Sequence, residues 1–105
     1  AAVAAKYKVR LVAYEGGQHL IAPGDDDEAK LYLAANRDAR MRDVYARLLQ
    51  GWKAAGGGLF VHYYDAGAPQ KSGSWGARES VSQARGQAPK YDALMAFAEA
   101  TPKWW

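Results

Sequence analysis

The sequence contains no cysteine. That excludes disulfides, thiolate metal sites and a cysteine nucleophile, and it leaves the redox compartment open. There is no apolar run of about 18 residues, the length that a membrane-crossing helix needs. The opening segment Ala1–Lys6 has neither a basic start nor a long apolar centre, so it is not an intact signal peptide. A leader already removed, or one lying upstream, is compatible with this. No Gly-x-Gly-x-x-Gly string and no phosphate-binding loop occur. Ser72 and Ser74 have no base at motif spacing, which leaves a serine hydrolase without support. The only two histidines, His19 and His62, lie in different elements and outside any ligand-spaced motif, so no metal and no cofactor is expected.

What is present is an ordinary globular composition. The 105 residues are 50% hydrophobic and 24% charged, enough for one domain at most and too apolar for a disordered chain. Fourteen Lys and Arg against 11 Asp and Glu give a formal charge of +3. The basic residues are dispersed: Arg37, Arg40, Arg42 and Arg47 alternate with Asp38 and Asp43, the pattern of a solvated helix face. A stripe that tracks phosphates would not be broken by acids in this way, so no nucleic-acid partner is expected. Four Trp and seven Tyr supply flat amphipathic rings that suit sugar faces and also fill cores.

Residues 1–7 read as the end of a helix, with Lys6 where a cation is favoured. A strand is expected over residues 9–14, apolar on both faces apart from Arg10, which points to a parallel sheet covered by helices. Gly16 and Gly17 then allow a sharp exit. The turn Pro23-Gly24 and the acids Asp25 to Glu28 precede a short helix over about 26–36, and Asn36 or Asp38 is placed to cap the next. That next helix, 39–55, has the clearest pattern: Met41, Val44, Tyr45, Leu48, Leu49 and Trp52 form one apolar stripe, with Met41, Leu48 and Trp52 read as core. Gly56, Gly57 and Gly58 end it. A second strand is expected over 59–64, a long Gly-, Ser- and Gln-rich loop over 65–88, and a last helix over 89–99 opened by Pro89.

The order strand, helices, strand is a βαβ unit. Two strands alone leave faces and edges unprotected. The expected architecture is therefore α/β, a single partial domain that is a fragment or a part of an assembly.

The string Leu11-Val12-Ala13-Tyr14-Glu15-Gly16-Gly17-Gln18-His19-Leu20 resembles the seventh-strand region of a family of bacterial (β/α)₈ proteins related to cellulose-binding and glycoside hydrolase sequences. The resemblance continues through Ala35–Asp38, Gly51–His62, Gly73–Ala77 and Pro89–Met95, so it covers nearly the whole chain but only the last quarter of such a barrel. It implies that the chain is the C-terminal part of a carbohydrate-active protein, strands seven and eight of a TIM barrel. In the related clan of retaining glycosidases the glutamate ending strand seven is the nucleophile, a role that falls on Glu15. The partner acid/base glutamate ends strand four and has no counterpart here. The resemblance further implies a carbohydrate ligand, a secreted or periplasmic location, and completion by the rest of the barrel or by self-association.

Each candidate residue also has a plain structural reading. Glu15 ends an apolar strand, where barrel active sites lie, or it bonds nearby backbone amides. His19 bonds a sugar hydroxyl, orients Glu15, or caps a loop. His62 reads as a hydrogen-bonded core histidine. Tyr14, Tyr64 and Trp75 stack on sugar faces or pack loops. The enzyme reading and a non-catalytic carbohydrate-binding reading both stand, and the isolated chain is expected to be inactive because the proton donor is missing.

Overall fold

A computed structural model describes residues 1–21 and 24–105. Pro23, one half of the expected Pro23-Gly24 turn, lies outside the described residues. The first helix, α1, runs Ala2–Lys6. It closes on Lys8, which has φ 53°. The Lys8 amide donates to the Ala5 carbonyl at 3.1 Å and the Val9 amide to the Ala4 carbonyl at 3.0 Å, the hydrogen-bond pattern of a left-handed helix terminator. Because those amides still serve α1, the strand expected over 9–14 starts later, and β1 runs Leu11–Gly16. Glu15 and Gly16 thus fall inside the strand rather than after it.

Helix α2 spans Asp26–Arg37. Asp25 caps it by accepting the amide hydrogens of Asp27 and Glu28 at 3.1 and 3.0 Å, and the three acids that follow occupy the positive end of the helix dipole. Asn36 does not cap the next helix. It lies inside α2, buried, with Nδ2 donating to the Tyr32 carbonyl at 2.9 Å. Asp38 stands at the junction, where its carboxylate accepts the Arg40 amide hydrogen at 2.8 Å.

Helix α3 spans Met41–Ala54. Of its apolar stripe, Met41, Tyr45 and Leu49 are buried, whereas Val44 and Leu48 are 53% and 38% exposed. Leu48, read as core, lies on an uncovered shoulder of the helix. Gly56, with φ +80°, turns the chain out of α3. Strand β2 then runs Gly57–His62, two residues earlier than the expected 59–64. Its start is fixed by two indoles: Trp52 Nε1 donates to the Gly58 carbonyl at 2.8 Å and Trp104 Nε1 to the Gly57 carbonyl at 2.7 Å. The Trp52 ring occupies the place a Gly57 side chain would take, so glycine is required there.

The stretch expected as a loop over 65–88 carries structure. Strand β3 (Tyr64–Ala66) pairs in parallel with β4 (Gly76–Arg78), and a 3₁₀ turn covers Arg85–Gln87. Elements of three residues have no room to show a hydropathy period. Helix α4 runs Pro89–Ala100 and packs against α3.

β1 and β2 pair in parallel, with Leu11 opposite Gly57, Ala13 opposite Phe60 and Gly16 opposite His62. β2 has one extra residue between the first two of these pairs and β1 has one between the last two, so a bulge on β1 falls at Tyr14–Glu15. The fold is thus mixed α/β with small parallel sheets. Burial on both faces does not hold within this chain. Leu11, Ala13, Phe60 and His62 are half-buried, but Val12, Tyr14, Leu59 and Val61 are 52%, 78%, 39% and 42% exposed. The described residues supply no layer for that second face.

The core is correspondingly small. Met41, Tyr45 and Ala93 form its buried centre, with Leu20 and Leu94 against it, and Tyr45 is the one large side chain that is fully buried among the described residues. The radius of gyration is 15.0 Å, against about 13 Å for a compact domain of this length. The accessible surface is 6989 Å², where a folded monomer of this mass exposes about 5,800 Å².

Candidate functional site

The C-terminal end of β1 and the residue following β2 frame a cleft of 360 Å³ lined by Glu15, Gly17, Gln18, His19, Tyr63 and Trp75, with Gly16 at its base. That volume falls within the range of small-molecule sites. Glu15 reaches the cleft because the β1 bulge interrupts strict alternation at Tyr14–Glu15, and bulges re-aim side chains in this way. Gly16 lets the strand exit lie directly on the Phe60 ring, where a side chain would collide. Among the described residues the Glu15 carboxylate takes part in no hydrogen bond and no ion pair, and the residue is exposed. It is not tied to nearby amides. It projects freely beside an aromatic wall.

Trp75 is the centre of that wall. Its ring meets His19 edge-on with centroids 4.9 Å apart, and Tyr63 edge-on at 6.0 Å. Edge-to-face packing of this kind fixes ring orientation while leaving a face open. The loop that presents Trp75 is closed by paired hydrogen bonds between Gln70 and Gly73, with Gly73 at φ +147° and the indole lying where its side chain would be. Tyr63 continues the β1–β2 pairing by donating its amide hydrogen to the Gly16 carbonyl at 2.9 Å.

Beneath the cleft lies a polar network centred on Gln18. The Gln18 amide donates to Tyr45 Oη at 3.1 Å, its Nε2 donates to the Ser74 carbonyl at 2.8 Å, and its Oε1 accepts the Leu20 amide hydrogen at 2.7 Å. The Ser74 carbonyl also accepts from Lys90 Nζ at 2.6 Å, and Lys90 bonds Asn36 Oδ1 at 3.1 Å. Lys90 is 5% exposed. Burial pushes its ammonium down to about 8, opposed by the Glu79 carboxylate. Tyr45 and His62 meet at 3.1 Å, and His62 Nδ1 lies 3.0 Å from the Tyr64 carbonyl. Burial holds His62 below the ordinary histidine value, while the Tyr64 carbonyl works against it.

The structure brings Glu15, His19 and Trp75 together. Tyr14 and Tyr64 do not line the cleft: Tyr14 projects from the bare face of β1, and Tyr64 opens β3, its ring packed on Gly67. Tyr63 stands where Tyr64 was expected, because β2 ends at His62. Reading the strand two residues earlier would have found it. Gln18, Tyr45, Ser74 and Lys90 carry the support of the cleft, and their sequence neighbourhoods give no signal of it.

Two other carboxylates bear on acid–base chemistry. Asp65 is held by Arg78 at 2.8 Å and Glu79 by Arg37 at 2.6 Å, and each partner guanidinium keeps its carboxyl below the usual range. Neither lines the cleft. Groups held ionised in this way are poor proton donors. Among the described residues no three His, Asp or Glu side chains gather as metal ligands would. Compared with protein-family models, curated proteins and solved structures, the chain matches none.

Proposed function

We propose that the chain is the C-terminal part of a carbohydrate-active (β/α)₈-barrel protein, with its ligand in the Glu15–Trp75 cleft. The observation that carries this reading is the unpaired Glu15 carboxylate at the C-terminal end of a parallel strand, 360 Å³ of open space, and a wall of Trp75, Tyr63 and His19. Active sites of parallel barrels lie at that end of the strands, and flat amphipathic rings beside a carboxylate suit a pyranose with apolar faces and polar edges. In the completed barrel Glu15 acts as the nucleophile of a retaining glycoside hydrolase and attacks the anomeric carbon, with the proton donor coming from another strand. The bare face bearing Val12, Tyr14, Leu59 and Val61 is covered by the remaining barrel or by a second copy. Exposed apolar surface of this kind marks an interface, and parallel sheets are normally covered on both faces.

A second reading has its own support. Retaining hydrolysis needs two carboxyl groups about 5–5.5 Å apart, and among the described residues Glu15 is the one carboxylate lining this cleft. A non-catalytic carbohydrate-binding protein would use the same aromatic wall with no productive pair. Calorimetric titration with cello-oligosaccharides and rate measurements on the complete barrel protein separate the two. Under the enzyme reading Glu15→Gln retains binding and loses nearly all turnover, because shape is kept and the attacking charge is removed. Full turnover in Glu15→Gln excludes Glu15 as nucleophile. Binding without turnover in the parent protein supports the second reading. The 105-residue chain by itself is expected to hydrolyse nothing.

A further inference from the structure

The hydrogen-bond chain beneath the cleft has only one consistent arrangement of protons. The Tyr64 carbonyl can only accept, so the proton at that contact sits on His62 Nδ1. A neutral His62 then presents an unprotonated Nε2, which accepts the Tyr45 hydroxyl hydrogen across 3.1 Å. With its hydrogen committed to His62, Tyr45 Oη offers a lone pair to the Gln18 amide, also at 3.1 Å. Gln18 in turn holds the Trp75 loop through the Ser74 carbonyl. Gly17 rests on the pair itself: with φ +138°, a side chain there would meet His62 Nε2 at 3.0 Å and Tyr45 Oη at 3.2 Å. The turn that follows Glu15 and the loop that carries Trp75 are therefore seated on one tyrosine–histidine pair from α3 and β2.

We propose that His62, as the neutral Nδ1–H tautomer, is a positioning residue of the cleft: through Tyr45 it fixes the Gly16–Gly17–Gln18 turn against the Trp75 loop, so that the cleft is assembled only while His62 is uncharged. Protonation at Nε2 turns an acceptor into a donor facing Tyr45 Oη. The hydroxyl of Tyr45, a residue only 1% exposed, then keeps its bond from Gln18 only by leaving its own hydrogen without an acceptor. The groups facing His62 are the Tyr45 hydroxyl from α3, the Lys90 ammonium from α4, and the Tyr64 carbonyl and Asp65 carboxylate from β3. Lys90 disfavours the charged ring and Asp65 favours it; burial acts with Lys90. The nature of the ligand rests on the carbohydrate reading above, whereas the linkage is a property of the free chain.

The test uses the free 105-residue chain and no ligand, so failure of the carbohydrate reading leaves it intact. Nitrogen-15 NMR between about pH 8 and about pH 5 follows the His62 ring, the Gln18 amide and the Trp75 indole. The expected result is a protonated Nδ1 at neutral pH, with Gln18 and Trp75 moving at the midpoint of His62. In Tyr45→Phe, His62 still titrates but Gln18 and Trp75 no longer follow it. In His62→Gln, which keeps an acceptor oxygen without titrating, both signals stay at their neutral-pH positions throughout. A ring protonated at Nε2 alone at neutral pH overturns the proposal. So does a Gln18 amide indifferent to His62, or one that follows His62 equally well in Tyr45→Phe, where Tyr45 would be packing and nothing more.

Discussion

The two ends of interest in this molecule are finished to different degrees. At the C-terminal end of the β1–β2 pair, Gln18, Tyr45, His62, Ser74, Lys90 and Asn36 interlock, and no buried side-chain polar atom among the described residues lacks a partner. Across the bare face of the same strands, Val12, Tyr14, Leu59 and Val61 stand open. The hydrogen bonds that support the cleft are closed within the described residues, whereas one face of the sheet is left open by them.

Truncating one ring in each region gives the largest difference. Tyr45→Ala removes a fully buried large side chain and should cost about 3–5 kcal/mol in urea unfolding. Tyr14→Ala, at 78% exposure, should stay within about 0.5 kcal/mol in the free chain. A large loss on Tyr14→Ala would mean that the face is covered in solution.

The buried lysine gives the next largest effect. Its folded-state value of about 8 lies below the ordinary 10.5. The unfolded chain therefore binds more protons between those two values, and stability rises with pH across that window, by up to about 3 kcal/mol. Lys90→Met should abolish that slope in denaturant midpoints compared across the same pH range. His62 acts at the other end. Its value is depressed, so its contribution is complete above the ordinary 6.5 and is lost as pH falls below it. A smaller effect is expected at the wall of the cleft, where Trp75→Ala should weaken cello-oligosaccharide binding about tenfold by calorimetry, with the fold unchanged by circular dichroism.

The sequence shows the helices and the two long strands because each is set by local rules. The stripe of α3, the Asp25 cap, the Gly56 exit and the Pro89 start all act within a few residues. Most of what it hides is set by distant partners. The shift of β2 comes from two indoles, one of them on Trp104 at the far end of the chain, whereas that of β1 is local and comes from Lys8 closing α1. β3 and β4 exist only as a pair. Leu48 reads as core and is 38% exposed, since periodicity marks which face is apolar and not what covers it. In the cleft, Glu15 and Trp75 stand out as a strand-end carboxylate and a glycine-flanked indole. Gln18 and Lys90 look like surface residues in the sequence, and only the meeting of the Trp75 loop with α3, for Gln18, and with α2 and α4, for Lys90, gives them their partners.

The central claim is that the cleft, and not the bare sheet face, is where a carbohydrate binds. Amide and indole shift mapping of the 105-residue chain during titration with cellohexaose tests it most directly. The expected result is a saturable set of shifts confined to Glu15, Gly17, Gln18, His19, Tyr63 and Trp75, with Val12, Tyr14, Leu59 and Val61 unmoved. Shifts centred on the bare face, or none at all while the chain remains folded, would contradict it.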